Sequence, residues 1–509
     1  MAGFLTRCRL TDRLMDVSGS RTMSPSATRR RETIADSAHA EARRWLEASG
    51  FGLAMAERPH RLCERDPQGD SAQGEACGSP AGRERARRFI ARGRAAPCGP
   101  RAIVACAAAM ALSCSAAALA QWTQWGGPHR DFTTEAAGLA ETWEDARPKQ
   151  VWKRALGDGY STVLADGDAL YTMYRAGDDE FTVCLDAATG KTHWEYRQAS
   201  PFTELMTQFG PGPSATPLIV GDRLYSIGTN AVLHCFDKKT GKVRWTHDIP
   251  REFGAEVPGR GYSTSPIAYE RTVVVYAGGG KEQAVMAFQQ EDGKVAWKSL
   301  DFEPTHSSPI LIRFNNQDQL VCFMAAELAA VNPADGTLLW RHEHPTQYGA
   351  NLSTPVWNSK DLLFCSAAYD SGSRVIRLKA EGEKTTTEEV WFHRKMRLHH
   401  ANPVIVGDVV YGSSGDFGPA FFQAVRMSDG EVLWRERGFT KATCLSTGDR
   451  LIILDEDGNL ALAQASPEGL KIVSQAKVAT EKWSWAAPTL VGRRLYIRDR
   501  KDIMAFDLG

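Results

Sequence analysis

Residues 1–101 of this 509-residue chain contain no lysine, although arginine is abundant there, as in Arg29-Arg30-Arg31 and between Arg83 and Arg94. Lysine becomes frequent only from Lys149 onward, a break that looks like two coding histories. Sustained apolar periodicity is also missing from the early segment. Little packed structure is expected there beyond a short helix around Ala40 to Ala48, and residues 1–101 read as a disordered or non-native extension. Neither sign of charge is in excess, with 61 basic against 61 acidic residues. That balance leaves no electrostatic case for nucleic acid or an anionic membrane surface. Cysteine lacks every informative spacing: there is no Cys-x-x-Cys, no adjacent pair and no Cys-x-x-Cys-His haem motif. Six of the eleven cysteines precede Gln121, and the other five (Cys184, Cys235, Cys322, Cys365 and Cys444) are odd in number and widely spaced. Neither a zinc site nor a disulfide framework is expected, and cysteines in runs such as Leu363-Phe364-Cys365 read as small buried hydrophobes. No nucleophile elbow and no phosphate loop occurs.

One apolar run stands out, from Ala102 to Ala120. Arg92, Arg94 and Arg101 precede it, and it ends Ala118-Leu119-Ala120 before Gln121. A basic flank, an alanine-rich run and a small-x-small end are the pattern of a secretory signal. The run is near the lower limit for a membrane span, so no transmembrane segment is expected in the mature protein. A signal this far into a chain implies a true start downstream of Met1. Cys114, after Ala111-Leu112-Ser113, loosely resembles a lipoprotein box. The expectation is an exported protein, periplasmic or extracellular, whose residues 1–120 are dispensable for folding.

The rest of the chain repeats. Asp186-Ala-Ala-Thr189-Gly190-Lys191-Thr-His-Trp194 recurs as Asp237-Lys-Lys-Thr240-Gly241-Lys242-Val-Arg-Trp245. Weaker copies end at Trp297, Trp340 and Trp434, and Trp391 holds the same place after a polar insertion from Glu381 to Glu388. The element is a hairpin: Asp bonds the backbone of its own turn, Gly takes the positive φ, and the chain re-enters a strand carrying Trp. A second element precedes each of these, as in Pro217-Leu-Ile-Val-Gly221-Asp222-Arg-Leu-Tyr225 and Pro403-Val-Ile-Val-Gly407-Asp408-Val-Val-Tyr411. Further copies begin at Val163, Pro266, Pro309, Pro355, Leu445 and Pro488, eight in all at intervals of 42 to 54 residues. Four short strands at that period give an all-β, eight-bladed β-propeller over 121–509, with a lead-in at 121–148 and blades from 149. The last copy stops at Gly509 without its Trp strand, and Gln150-Val151-Trp152-Lys153 supplies the missing piece from the other end. An N-terminal strand thus completes the last blade and closes the ring.

The Asp-x-x-Thr-Gly-Lys-x-x-Trp element resembles the tryptophan-docking repeat of the PQQ (pyrroloquinoline quinone) enzyme propellers and of BamB-type outer-membrane assembly propellers. The opening Gln121-Trp122-Thr-Gln124-Trp125-Gly126-Gly127-Pro128 is similar to the lead-in of uncharacterised members. The resemblance implies the fold and leaves the function open. The quinone enzymes carry an adjacent-cysteine disulfide, a Ca²⁺ site with Glu and Asn ligands and a catalytic Asp. The chain has no such cysteine pair, and no catalytic residue is carried over.

Function in such a ring is expected where each outer strand leads to the next inner strand. The register places Tyr160, Tyr262, His306, Asn351, His399, His400, Lys441 and Trp485 around the axis there, the aromatic and polar mix of a pocket mouth. Glu204, Arg260 and Asp416 are further candidates for polar contacts, and the loops Tyr196 to Pro213 and Thr246 to Tyr262 are long. Adjacent histidines in an extended segment point opposite ways, so His399 and His400 are not expected to share a metal. The first reading is a monomeric binding or protein-interaction scaffold, with a protein, small-molecule or glycan partner and no assigned cofactor. The alternatives are a PQQ- and calcium-dependent oxidoreductase and a carbohydrate-active hydrolase or lyase at the axial pocket.

Overall fold

The computed structural model describes residues 121–509 apart from 137, 203–209, 279–281, 304 and 417–419. The Arg-rich extension, the signal-like run with Cys114, and Glu204 lie outside the described residues. Each small-Pro-apolar element starts a short strand, turns at its Gly-Asp pair and returns as a second strand. In the second copy Leu218–Val220 pairs antiparallel with Arg223–Ile227, and Gly221 takes the positive φ, 58°, that the turn requires. A third strand, Val232–Asp237, and an outer strand, Val243–Asp248, complete a four-stranded sheet. Between the third and outer strands Asp237 Oδ1 accepts from the Thr240 N–H at 3.1 Å and from the Thr240 hydroxyl at 2.9 Å. The chain builds eight such sheets in sequence order, the blades of an eight-bladed β-propeller. Second strands such as Leu451-Ile452-Ile453-Leu454 are buried throughout, whereas the outer strand Thr192–Ala199 alternates exposed and half-buried residues. The five cysteines of this region are free and buried.

The outer tryptophans join blade to blade. Trp194 donates from Nε1 to the Lys238 carbonyl of the next blade at 2.9 Å, and its ring covers Gly241 so closely that a Cβ there would lie 2.5 Å from it. Trp152, Trp245, Trp297 and Trp391 dock in the same way on Gly190, Gly293, Gly336 and Gly430. Trp340 differs because blade 5 has no short Asp-Gly turn. The polar insertion lengthens its last two strands, Gly372–Glu381 and Lys384–His393. Trp340 donates instead to Gln319 Oε1 at 2.7 Å, and Gln319 Nε2 donates onward to Thr385 at 2.8 Å. Blade 7 has Ser474 in the register position that Trp holds elsewhere. Its hydroxyl accepts the N–H of Trp143, a buried residue of the lead-in.

The small residues ahead of the prolines form an inner belt. The Thr162 N–H donates to Thr216 Oγ1 at 3.1 Å, the Thr216 N–H to Ser265 Oγ at 3.0 Å and the Ser265 N–H to Ser308 Oγ at 3.0 Å. Farther round, the Thr354 N–H donates to Asn402 Oδ1 at 3.0 Å. At these four junctions one blade's backbone N–H is satisfied by its neighbour's side chain, which is what a hydroxyl or amide at that position supplies.

Lys149–Ala155 is the outer strand of blade 8, antiparallel to Asp502–Asp507 with Trp152 opposite Ala505. Closure by an N-terminal strand is as the repeat arithmetic requires. Among the described residues no helix is long and apolar enough to cross a membrane.

Candidate functional site

The propeller has two ends. At one, the turn end, the Gly-Asp turns link inner to second strands. At the other, the mouth, outer strands lead into the next inner strand.

The lead-in fills the turn end. Gln121–Trp122 pairs with Asp166 and Ala165, adding a fifth strand to blade 1 on its channel side. The Thr123 carbonyl accepts from the Ile219 N–H in blade 2, and Arg130 donates to the Ala268 carbonyl in blade 3. Trp125 Nε1 reaches Thr354 of blade 5 at 2.9 Å, and Thr133 bridges Ser446 of blade 7. Around Trp125 the remaining gap is about 10 Å³, the least that holds one water. A shallower groove of about 270 Å³ remains beside His129, between the inner strands of blades 4 and 5.

At the mouth, the eight residues picked out by register divide into two groups. Tyr160, Trp485, His400 and His399 meet across the axis. Tyr160 and Trp485 have ring centroids 5.0 Å apart, Trp485 and His400 4.2 Å, and His400 and His399 5.0 Å. The chain of rings continues to Tyr369, whose hydroxyl is 2.6 Å from His399 Nε2, and on to the exposed Tyr348. Trp483 stacks on Trp485 at 5.3 Å. Lys441 stands beside the two histidines, and its charge bears on both.

The other three are wall residues. Tyr262 is buried in the apolar core of blades 2 and 3. Asn351 is fully buried, with Nδ2 donating to the Met324 carbonyl at 2.5 Å and Oδ1 accepting from Thr346 at 2.8 Å. His306 Nδ1 is 2.7 Å from the Ser263 hydroxyl.

The expectation that His399 and His400 point apart is corrected. The two lie in a bend rather than an extended segment, and their Nδ1 atoms are 2.9 Å apart. One Nδ1 therefore carries the proton and the other accepts it. Burial, helped by Lys441, lowers the His399 pKa to about 4, and burial and His399 push His400 well below the usual range.

Residues outside the register complete the mouth. Tyr348, Tyr369 and Trp483 carry no repeat signal. Asp416 accepts the Tyr369 N–H at 2.9 Å and lies 3.4 Å from Arg397. Glu456 accepts from Trp485 Nε1 at 3.0 Å. The charge of Arg260 bears on His306, Tyr369 and His399. Arg498 is fully buried behind Tyr160 and donates to the Met173 and Gly157 carbonyls at 2.6 and 2.9 Å. Burial lowers its pKa to about 10.

A buried ion pair anchors the described ends of the segment between blades 1 and 2. Arg175 bonds Glu180 at 2.7 Å, with both side chains almost fully buried. Arg175 also donates to the Pro211 carbonyl at 2.6 Å and to the Ser200 carbonyl, holding both ends of the loop. Glu180 accepts from the Thr229 N–H at 3.0 Å and from its hydroxyl.

The resemblance to quinone enzymes can be tested on this geometry. A planar cofactor between two rings needs roughly 7 Å between them, twice a carbon contact distance. The axial rings lie 4.2 to 5.0 Å apart and pack on one another. Among the described residues no three His, Cys, Asp or Glu side chains are grouped to hold a metal ion. The residues do not fit a quinone with its calcium ion, and no chemical step is derived through that pair.

Protonation should be felt in stability. Burial lowers the pKa of His234 to about 4, of His306 to about 4 and of His344 to about 3. As pH falls the unfolded chain takes up these protons first, near the usual 6.5. The stabilisation is therefore complete above about pH 6.5 and is lost as pH falls toward 4. At roughly 1.4 kcal/mol per tenfold change in proton affinity, His234 alone accounts for roughly 3 kcal/mol across that window. Urea midpoints should be level from pH 7 to 8 and fall steeply below 6.5. His234→Gln should flatten that fall, and an unchanged slope would contradict the assignment.

Residues 180–436 match the family described as outer membrane protein assembly factor BamB. The outer membrane protein assembly factor BamB of Yersinia pestis is 21% identical over 361 residues, covering 65% of this chain and 80% of that protein. Tetrathionate hydrolase of Acidithiobacillus ferrooxidans is 24% identical over 238 residues, so this chain spans only 45% of that enzyme's length and is itself covered over 44%. Among solved structures, BamB from Moraxella catarrhalis superposes with a TM-score of 0.52 at 15% identity, over 71% of this chain and all of that one. Quinohemoprotein alcohol dehydrogenase from Comamonas testosteroni gives 0.53 at 12% identity, over 76% of this chain and 80% of that one. Identities this low show a shared propeller fold and nothing of a shared activity.

Proposed function

This chain belongs to the family of the outer membrane protein assembly factor BamB, and on that premise we propose that it is an exported protein-interaction scaffold that holds its partner at the mouth. The observation that carries the reading is the asymmetry of the two ends. The lead-in packs the channel from the turn end. At the mouth, segments entering blades 1, 5, 6, 7 and 8 bring aromatic and cationic side chains together. Large rings on a pinned backbone supply contact area at little cost in side-chain entropy, as anchors of protein interfaces do.

A photo-crosslinking side chain at Tyr348, which is 76% exposed, samples the mouth. One at Lys239, exposed on a turn of blade 2, samples the turn end. In living cells a discrete protein adduct is expected from position 348 and none from 239. Equal labelling from both ends, or none from 348, would sink the reading.

A further inference from the structure

Lys441 has a backbone that its residue type disfavours. Its φ is +42°, in the left-handed region that Gly and Asn enter readily and Lys rarely. Its surroundings fix it there. Phe439 and Ala442 on either side are buried. The Thr440 carbonyl accepts the Glu456 N–H at 3.1 Å, and the Thr440 hydroxyl lies 3.3 Å from Asp457 Oδ2. A residue held in a disfavoured conformation by an over-determined frame points to use of its side chain.

The charge of that side chain is unanswered. Among the described residues the half-buried Lys441 has no hydrogen-bond or ion-pair partner. The two histidines on which its charge bears, His399 and His400, are held neutral by burial. Among the described carboxylates near these rings, Asp416 is engaged with Tyr369 and Arg397, Glu456 with Trp485, Asp457 with Lys482, and Asp370 with Arg394 and Arg397. The charge of a second cation, Arg260, also bears on His399. An anionic group brought to Lys441 therefore meets a cation with no partner among the described residues, beside carboxylates already engaged with other groups.

The rings beside Lys441 indicate the carrier of that anion. Tyr348 and Tyr369 meet at 88°, Tyr369 and His399 at 87°, and His399 and His400 at 69°. From Tyr348 to His400 the rings alternate edges and faces, an arrangement that suits interdigitating side chains of an extended polypeptide better than the flat face of a sugar ring. We propose that Lys441 is the carboxylate-binding subsite for an acidic peptide segment laid along the rings from Tyr348 to Trp485. This rests on the reading of the mouth as a protein-binding surface and adds the chemistry of the partner.

The test uses the full chain with labelled hexaglutamate and hexaglutamine peptides, read by fluorescence anisotropy. Hexaglutamate should bind about tenfold more tightly or better, as expected for one charge-assisted contact. Lys441→Asn should abolish the difference while raising the denaturation midpoint, because Asn accepts the left-handed backbone and carries no charge. Lys441→Gln should abolish it with no gain in stability, and Lys239→Asn should leave it intact. Equal binding of the two peptides, or full hexaglutamate binding by Lys441→Asn, overturns the subsite. So does oligogalacturonate that binds in a Lys441-dependent way while hexaglutamate does not. If Tyr348 still crosslinks its partner in any of these cases, only the subsite has failed and the scaffold reading stands.

Discussion

Trp152→Ala should destabilise the whole propeller by about 3 kcal/mol, the lower end of the usual cost of truncating a packed Trp, because the ring is half-buried. Trp194→Ala and Trp245→Ala should cost about the same. Trp152 lies outside every complete sequence repeat, yet its environment is that of the others. Its Nε1 donates to the Ala187 carbonyl at 3.0 Å and its ring covers Gly190 within 2.8 Å of where a Cβ would stand. Its strand is the whole outer edge of blade 8, opposite Asp502–Asp507, with Lys153 paired to Asp502 at 2.8 Å. Loss of the ring therefore loosens the seam between blades 8 and 1 and the pairing that closes the circle. Domains of this kind hold only about 5–15 kcal/mol in total. Chemical denaturation of the three variants measures the effect. A cost within about 0.5 kcal/mol, that of an ordinary surface change, would refute closure by this strand.

Glu180→Ala should cost about as much for a different reason. It leaves Arg175 charged, buried and without its carboxylate, and breaking such a pair typically costs about 3–5 kcal/mol. Thr229 would lose its acceptor as well. Replacing both partners by apolar residues of similar size, Arg175→Met with Glu180→Leu, should cost less than Glu180→Ala, because no orphan charge remains. The double-mutant cycle by urea denaturation decides it. Additive costs would mean that the pair is not coupled. Because Arg175 also holds the Ser200 and Pro211 carbonyls, limited proteolysis between those residues should be faster in the Arg175 variants than in Trp194→Ala.

The ring was legible in the sequence because its physics is local and repeated. Asp237, Thr240 and Gly241 make one turn, and Trp194 needs that Gly bare. The residues before Pro217, Pro266, Pro309 and Pro403 had no evident role until the inner belt showed each accepting a neighbour's N–H. Blade 7 was legible only in part, since Ser474 replaces its Trp and the partner, Trp143, comes from the lead-in about 330 residues away. At the mouth, register alone places Tyr160, His399, His400, Lys441 and Trp485 near the axis. It cannot tell an inward side chain from a wall residue, and so it groups Tyr262 and Asn351 with them. Tyr348 and Tyr369 went unseen because a loop and a hairpin tip of irregular length deliver them. The bend at His399-His400, which turns two adjacent rings toward each other, has no signature in residue type.

The clasp between Lys149–Ala155 and Asp502–Asp507 also orders events on the ribosome. The strand that must cover the last blade is made among the first of the propeller, and its partner emerges about 350 residues later. At roughly 5–20 residues per second, that is a wait of about 20–70 s. Throughout it the edge of Lys149–Ala155 stands open to solvent or to another nascent chain, although the Ala187 seat of Trp152 is made only 35 residues after it, and the lead-in has no complete channel to enter. Seven blades can stack as they appear, each on the one before. The eighth cannot, so the first-made segments are the last to be seated, and a chain interrupted near its end keeps both of its sticky edges.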